Sequence, residues 1–339
     1  MYHAISNTMQ RAQKQSDTQS LYARIFTLLT TVVALVWATA VTADNPVRVQ
    51  DAQGHWVELA APAERVVALA PHIVENFYSA GAGHTLIAAV SYSNYPEQAK
   101  ALPQIGNYKS VSYERLLALK PDLIVAWGSG NGDQMVHKLR RLGFQVFVTE
   151  SRTLEDIPRN VRLFGQLAGT SAIADQAAAQ WLARLSTLKR DHEQQAPLSV
   201  FYQVWSDPLQ TLNGEHLISD VIRACGGRNT FADALVLAPK ISIESVLERN
   251  PDVIIASGMG ETRPDWLNDW KAYPGLKAVS NGHLFFVPPD LIQRHTFRVL
   301  DGMEIICADL RRVRAKSARS GADGSDGADG ADGADGKAL

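Results

Sequence analysis

Short apolar runs alternate with segments of helical periodicity along most of the chain. Runs such as residues 65–70, 86–90 and 122–127 are typical of buried strands, and apolar positions at helical spacing follow them. The alternation pauses after Phe144–Val148 and restarts after Pro197. Strands that alternate with helices predict α/β folding with mainly parallel sheets.

The stretch between the two alternating regions reads differently. Residues 154–192 lack strand signals, and their alanine-rich middle has high helix propensity, with a break expected near Gly169. We therefore predict an N-terminal α/β lobe over 44–153, a helical linker over 154–196 and a C-terminal α/β lobe over 197–316.

An internal repeat supports the two-lobed layout. Residues 112–128 align without gaps on residues 242–258, at a constant offset of 130 residues. Each copy begins with a serine that is a candidate helix N-cap, continues through a short helix to Pro-Asp, and ends in a strand and a glycine. In the first copy we expect residues 128–132 after the strand to form a loop. Two such lobes enclose a cleft, and clefts between domains are where ligands bind.

The two ends of the chain do not look like parts of a folded core. Residues 1–43 combine early basic residues, an apolar run and a small-residue end, which is typical of a cleaved secretory signal; an uncleaved membrane anchor is the alternative. Residues 317–339 are dominated by Gly, Ala and Asp, and we expect a disordered tail. The sequence thus predicts an exported protein.

The composition limits the kinds of partner that the protein could bind. Charged residues make up 20% of the chain and the formal net charge is -2, so no basic surface for nucleic acid is indicated. No strongly charged ligand is implied either.

The chain has two cysteines, Cys225 and Cys307, which are 82 residues apart. In an exported protein an isolated pair is a candidate disulfide. Two buried thiols are the alternative.

Catalytic motifs are missing from the sequence. It has no Gly-x-Ser-x-Gly elbow, phosphate-binding loop, zinc-protease helix or dinucleotide fingerprint, and the histidines from His55 onward form no i, i+4 pair. We expect no enzyme, no cofactor and no dedicated metal site, with a metal site assembled from distant histidines as the alternative.

Aromatic residues cluster where a ligand would bind. Tyr92, Tyr95, Tyr108 and Trp127 lie in loops or at the carboxyl end of a predicted strand, and Trp205 takes the corresponding place in the second lobe. Such rings suit a large, flat, partly apolar ligand. Arg294, before the last helix, is a candidate polar contact. Each of these residues alone could equally serve packing or solubility.

The repeat places an acid at the same point of each lobe. Glu114 and Glu244 each lie two residues after the N-cap serine, where a carboxylate complements the helix dipole. A second role is docking: paired acids on one face would suit arginines on a two-fold partner. From the residues alone, the dipole interpretation is favoured.

Several segments resemble a known family. Residues 65–71, 91–96, 114–127 and 224–229 are similar to the siderophore, haem and cobalamin receptors of bacterial ABC importers, and the similarity covers residues 64–313. The Ser-Tyr-Ser-Asn-Tyr-Pro loop and the cysteine pair are more particular to the cobalamin branch. The resemblance implies a class III periplasmic binding protein fold: two α/β lobes bridged by one long helix, with little closure on binding.

The resemblance also assigns residues. It implies that Tyr92, Trp127 and Arg294 contact the ligand, that Cys225 and Cys307 form a disulfide, and that Glu114 and Glu244 dock onto arginines of a permease dimer in the inner membrane. The docking interpretation of the two glutamates thereby becomes the favoured one. We expect a periplasmic monomer that binds cobalamin or a related corrinoid.

The sequence departs from the cobalamin branch at two ligand positions. A tryptophan expected near Tyr108 is replaced by that tyrosine, and one expected before Pro239 is replaced by Ala238. Haem, a ferric siderophore or an incomplete corrinoid such as cobinamide therefore remain alternative ligands. A metal-dependent enzyme and a ligand sensor are the alternatives from other functional classes.

Overall fold

The computed structural model describes residues 46–190, 192, 195–258 and 262–323. The predicted signal segment and residues 324–339 of the predicted tail lie outside that part. No helix within the described residues is long and apolar enough to cross a membrane.

The N-terminal lobe is built on a four-stranded parallel sheet. Its elements are β1 (Val47–Gln50), β2 (Trp56–Leu59), β3 (Val66–Ala68), α1 (Pro71–Ser79), β4 (Leu86–Ala89), β5 (Gly106–Asn107), β6 (Ser110–Val111), α2 (Tyr113–Leu119), β7 (Leu123–Trp127), α3 (Gly128–Asn131), α4 (Asp133–Arg141) and β8 (Val146–Thr149), with 3-10 turns at Gly83–Thr85 and Glu97–Ala101. The sheet order is β4-β3-β7-β8, and each neighbouring pair is parallel.

Two helices link the lobes, α5 (Asp156–Leu167) and α6 (Ser171–Arg190). The predicted break is present: Gly169 has a φ of 73°, which favours glycine. The linker is therefore a helical hairpin in which α6 is the long helix. In α5, Ile157 packs in the C-terminal core and Phe164 in the N-terminal core, so the helix joins both cores.

The C-terminal lobe repeats the architecture. Its elements are β9 (Leu198–Gln203), β10 (Trp205–Ser206), β11 (Leu209–Gln210), α7 (Leu217–Ala224), β12 (Gly227–Asn229), α8 (Ile243–Arg249), β13 (Val253–Ala256), α9 (Lys277–Ser280), β14 (Leu284–Phe286), α10 (Pro289–Ile292) and α11 (Val299–Asp323), with a 3-10 helix at Asp265–Ala272. The sheet order is β12-β9-β13-β14, and each neighbouring pair is parallel. The predicted fold of two α/β lobes with mainly parallel sheets is confirmed.

Both sheets are covered on both faces, which explains their nearly continuous apolar runs. In β7, Leu123 and Val125 pack into one core cluster, whereas Ile124 and Ala126 pack into the cluster on the opposite face. The same division holds in β13, where Val253 and Ile255 lie on one side and Ile254 and Ala256 on the other.

The sequence repeat corresponds to a repeated structural unit. Ser112 accepts a hydrogen bond from the Arg115 N–H at the start of α2, as Ser242 does from the Ser245 N–H at the start of α8. Both helices end at a residue in the left-handed conformation, with φ of 47° at Lys120 and 40° at Asn250. The predicted N-caps are thus confirmed.

The repeated Pro-Asp has a structural reason. The Asp122 carboxylate accepts hydrogen bonds from the backbone N–H groups of Glu64 and Arg65, just before β3. In the second lobe, the Asp252 carboxylate accepts from the N–H of Ser199, in the neighbouring strand β9. Each aspartate thereby fixes the register between two adjacent central strands.

Three local features differ from, or complete, the sequence prediction. Residues 128–131 form a helical turn rather than the predicted loop, because Asn131 bonds back to the N–H of Trp127, at 2.6 Å. The last helix continues to Asp323, so residues 317–323 of the predicted tail are helical; Ala318 and Arg319 in this stretch are good helix formers. Cys225 and Cys307 form the implied disulfide, with their Cα atoms 4.8 Å apart.

Candidate functional site

The carboxyl ends of the parallel strands place the candidate residues between the lobes. Trp127 ends β7, and His72 is the second residue of α1, the helix that follows β3. From the second lobe, His216 caps α7, and His295 lies between α10 and α11. The Asn76 side chain donates to the carbonyl of His295 across 2.9 Å, which shows that the two lobes meet at this level.

A continuous series of aromatic rings crosses from one lobe to the other. Ring centroids are 6.0 Å apart for Tyr108 and Trp127, and 5.1 Å apart for Trp127 and His72. The series continues from His72 to His295 at 5.7 Å and from His295 to His216 at 5.5 Å. Tyr108 is 38% exposed, whereas His72 and His295 are buried and His216 is partly buried. The series therefore runs from an open end at Tyr108 to a closed end formed by the three histidines.

The helical turn α3 positions the open end of this series. The Asn131 amide donates to the Tyr108 carbonyl at 2.6 Å, while its oxygen accepts from the Trp127 N–H. A Cβ at Gly130 would overlap the Trp127 ring, so glycine at this position leaves the space that the indole occupies. The Trp127 ring N–H points to the Glu150 carboxylate, at 3.4 Å.

The loop at residues 91–96 contributes the most exposed aromatic residue. Tyr92 is 73% exposed and has a φ of 68°, a conformation that non-glycine residues adopt rarely. Tyr95 lies under the guanidinium of Arg298, 4.0 Å from the ring centroid. The loop is therefore tied to the C-terminal lobe by Tyr95 and presents Tyr92 to solvent.

Arg294 has a different setting from the one expected. Its side chain is only 12% exposed and reaches three acceptors: Glu75 at 2.8 Å, Asn94 at 2.7 Å and Asp290 at 3.0 Å. The Glu75 carboxylate, which is 3% exposed, also accepts from Arg298. These residues form an ion pair network between the lobes, which we call the Glu75 clamp.

Trp205 is not brought into the ring series. It lies on the β10–β11 hairpin, and its ring N–H donates to the carbonyl of Asp207 at 2.8 Å. Among ring contacts of the described residues, none includes Trp205. The structure thus groups Tyr108 and Trp127 and leaves Tyr92 and Trp205 as separate candidates.

Ala238 lies in a loop that is hydrogen-bonded to this hairpin. Its carbonyl accepts from the Gln210 side chain, and the neighbouring Pro239 carbonyl accepts from the Thr211 N–H. At the tip of the same loop Leu235 is fully exposed and Val236 is 64% exposed. These apolar residues, like the clamp and His216, were not identified from the sequence.

A small cavity opens beside α8. Its volume is about 100 Å³ and its wall includes Leu209, Ile243, Trp266, Trp270 and Tyr273. Pockets for drug-sized ligands are several times larger, so this cavity suits a side chain rather than a large ring system.

Burial controls the charge of the three histidines. Burial, with smaller contributions from the charges of His295 and Arg294, lowers the pKa of His72 well below its ordinary value. Burial likewise lowers the pKa of His216 well below normal and that of His295 to about 4. All three imidazoles are therefore neutral at pH 7.

The two candidate docking glutamates are exposed at the first turns of α2 and α8. The hydrogen bonds from its own backbone N–H and from Ser242 lower the pKa of Glu244. Both carboxylates fit the helix-dipole interpretation, and both are also available to a partner.

Comparison with known proteins identifies the family. A family model described as periplasmic binding protein matches residues 66–291, most of the folded part of the chain. The chain belongs to the periplasmic binding protein family. Membership of this family gives no support to the alternative of a metal-dependent enzyme, because the family consists of solute-binding proteins.

Individual relatives of this periplasmic binding protein bear more specific names. The vitamin B12-binding protein of Vibrio campbellii is 36% identical over 255 residues, which covers 75% of this chain and 92% of the relative. The vitamin B12-binding protein of Vibrio cholerae is 37% identical over 250 residues, covering 74% and 90%.

Solved structures agree with the fold. The crystal structure of the periplasmic vitamin B12 binding protein of Vibrio cholerae aligns with a TM-score of 0.69 at 36% identity, covering 75% of this chain and 98% of that one. A periplasmic haem-binding protein from Roseiflexus aligns with a TM-score of 0.63 at 22% identity, covering 74% and 99%. The second match supports the fold alone.

Proposed function

We propose that this chain is the exported solute-binding component of an ABC importer, which captures cobalamin or a related corrinoid in the periplasm without catalysing a reaction. The observation that carries the proposal is the 36–37% identity to vitamin B12-binding proteins over about nine tenths of their length. Iron-complex receptors share the fold at much lower identity.

The open end of the ring series supports a large flat ligand. Tyr108 and Trp127 offer adjacent rings, and Tyr92 extends an exposed ring from the neighbouring loop. Aromatic side chains bury much apolar area at little cost in conformational entropy. A corrin macrocycle matches such a surface.

The Glu75 clamp supports binding with little closure. The carboxylate of one lobe bonds two arginines of the other. These ion pairs hold the lobes in contact, so we expect ligand binding to change the separation of the lobes little. Arg294 would face the ligand only through the part of its surface that the clamp leaves open.

Calorimetric titration of the chain purified from the periplasm tests the ligand. We expect saturable one-to-one binding of cyanocobalamin or cobinamide, and none of haemin or a ferric siderophore. Binding of haemin or siderophore alone would keep the importer component and replace the ligand, whereas binding of none would contradict the proposal.

We further propose that Glu114 and Glu244 dock onto cationic side chains of a two-fold permease in the inner membrane. The two acids occupy equivalent exposed positions, and each helix carries an exposed leucine three residues later. Leu117 is 51% exposed and Leu247 36% exposed. Residues three apart share a helix face, so each lobe presents an acid and an apolar group together.

The docking proposal is tested with the double variant Glu114→Ala/Glu244→Ala. We expect uptake of radiolabelled cobalamin to fall at least tenfold while the affinity of the purified variant for cobalamin stays unchanged. The matched control is Glu97→Ala/Asp265→Ala, which removes two exposed acids that lie outside the helices α2 and α8. Undiminished uptake by the first variant would disprove docking through these acids.

A further inference from the structure

Three neutral imidazoles lie together at the closed end of the ring series. They come from three separate parts of the chain: the start of α1, the cap of α7 and the segment before α11. His72 and His295 are 8% and 4% exposed, and His216 is partly buried. The docking of the lobes brings them next to the aromatic surface that we propose for the ligand.

The hydrogen bonds distinguish the three rings. The Nδ1 atom of His216 accepts from the backbone N–H of Ile218, at 3.1 Å, so the proton of this neutral ring is on Nε2. That arrangement leaves His216 as a donor rather than a metal ligand. In His295, Nδ1 is fully buried and has no hydrogen-bond partner within the described residues. A buried nitrogen without a partner is costly and marks a place where a partner is expected.

His72 is the imidazole best placed for the ligand. Its ring lies against Trp127 at 5.1 Å, whereas His295 is 6.1 Å from the same indole. It also retains more exposed surface than His295. Because its ring is neutral at pH 7, a lone pair is available for coordination.

A metal bound by protein side chains alone is not supported. No group of three or more His, Cys, Asp and Glu residues in the described part of the chain is arranged to hold a metal ion. A single imidazole is sufficient, however, when the metal arrives with its own macrocyclic ligands and leaves one axial position open.

We propose that His72 ligates the cobalt of a corrinoid that lacks its own lower nucleotide base, such as cobinamide, and that Nδ1 of His295 accepts a hydrogen bond from the other ring nitrogen of His72 when this complex forms. This inference rests on the proposed corrinoid-binding function. Metal-ligating histidines almost always donate their second N–H to an acceptor, and the unpartnered Nδ1 of His295 supplies one on a ring 5.7 Å away. The imidazole replaces the water on the open face of the cobalt, with no change in its oxidation state.

Electron paramagnetic resonance of bound cob(II)inamide tests the ligation. The unpaired electron of low-spin Co(II) lies along the axial direction, so an axial nitrogen splits each cobalt line into a triplet. We expect the triplets in the wild-type complex, their loss in His72→Ala, and their return when imidazole is added to that variant. The control His84→Ala removes an exposed histidine and should keep the triplets.

The affinity for cobinamide gives a second readout. We expect His72→Ala to bind cobinamide at least tenfold more weakly, while its affinity for base-on cyanocobalamin changes less than threefold. His72→Gln serves as a second variant of similar size, and its circular dichroism spectrum checks that it folds.

Several results would overturn the inference. Absence of nitrogen splitting in the wild-type complex excludes protein ligation, and splitting that survives in His72→Ala but not in His295→Ala removes the assignment to His72. Binding of cobalamin without binding of cobinamide contradicts the inference but leaves the proposed function intact. Failure of both to bind contradicts the proposed function itself.

Discussion

The two lobes share one repeated structural unit but differ in the side chains that follow it. In both, a serine-capped helix leads through Pro-Asp to a central strand, at the constant offset of 130 residues. At the end of that strand the first lobe has Trp127, followed by a helical turn, whereas the second has Ser257 at the equivalent position, which bonds the Gln293 side chain. The ring-bearing surface therefore belongs mainly to the first lobe.

This difference separates two demands on the molecule. The repeated acids and leucines are exposed at equivalent positions of the two lobes, where a two-fold partner would favour identical groups. On the proposed function, the residues between the lobes would contact a ligand without that symmetry, which leaves them free to differ. The shared features would then serve the frame and docking, and the differing features would serve ligand recognition.

The lobes are also secured differently. The C-terminal lobe carries the disulfide between Cys225 and Cys307. Cys225 directly follows the last residue of α7, and Cys307 lies within α11. In the N-terminal lobe the buried Asp51 carboxylate holds the β1–β2 hairpin, since it accepts from the His55 N–H and pairs with Arg140 at 2.8 Å. One lobe is thus stabilised by a covalent cross-link and the other by an ion pair with a buried carboxylate.

Removing the disulfide should produce the largest effect. The variant Cys225→Ala/Cys307→Ala should lose about 4 kcal/mol of unfolding free energy, because an 82-residue span is no longer cross-linked in the unfolded chain. Hydrogen exchange should accelerate in β9 and β12 more than in β3 and β7. Equal acceleration in both lobes would show that they unfold as one unit.

Acid should lower the free energy of unfolding by a somewhat smaller amount. Because burial lowers the pKa of His295 to about 4, the unfolded chain takes up a proton below about pH 6.5 that the folded protein does not. The unfolding free energy of the ligand-free protein should fall between about pH 6.5 and 4, by up to about 3 kcal/mol from His295 alone. Urea unfolding across this range measures the slope, which should be shallower in His295→Gln.

Ligand affinity should depend on the first lobe more than on the second. Trp127→Ala should weaken binding of cyanocobalamin by about 2 kcal/mol, roughly 30-fold, as expected for a central aromatic contact. Trp205→Ala should cost less than about 1 kcal/mol. Calorimetric titration of both variants, with the distant Trp56→Ala as control, measures the contrast, and a larger loss in Trp205→Ala would reverse it.

The smallest expected effect concerns the exposed leucines. Leu117→Ala and Leu247→Ala should each weaken association with the purified permease by about 0.5–1 kcal/mol, in keeping with partial burial of one apolar side chain. Similar losses in the two variants would support symmetric docking. The control is Leu142→Ala, which truncates a leucine outside the repeat whose exposure, 41%, lies between those of Leu117 and Leu247.

The sequence was informative where local signals agree with the fold. The capping serines, the apolar runs and Gly169 each act within a few residues, and the helices and strands they predict are present. The β1–β2 hairpin was missed because each strand has only four residues, and an alternation of buried and exposed positions over so short a run is a weak signal. Its anchor, Asp51, depends on Arg140 far along the chain.

The site was predicted only in part for the same reason. Trp127 and Tyr108 follow recognisable strand and loop signals, and the structure brings them together. The role of Arg294 is set by Glu75, which is 219 residues away in sequence, and no local pattern records that partnership. His216 and His295 likewise become neighbours only when the lobes pack.

The Glu75 clamp has a mechanical consequence for the release of cargo. The Glu75 carboxylate pairs with both arginines, so separation of the lobes breaks both ion pairs together. It leaves the buried carboxylate without either arginine. The bond from Arg294 to Asn94 and the contact of Arg298 with Tyr95 cross the same joint. Opening the lobes therefore requires several contacts to break together, which predicts an all-or-none separation rather than a gradual one.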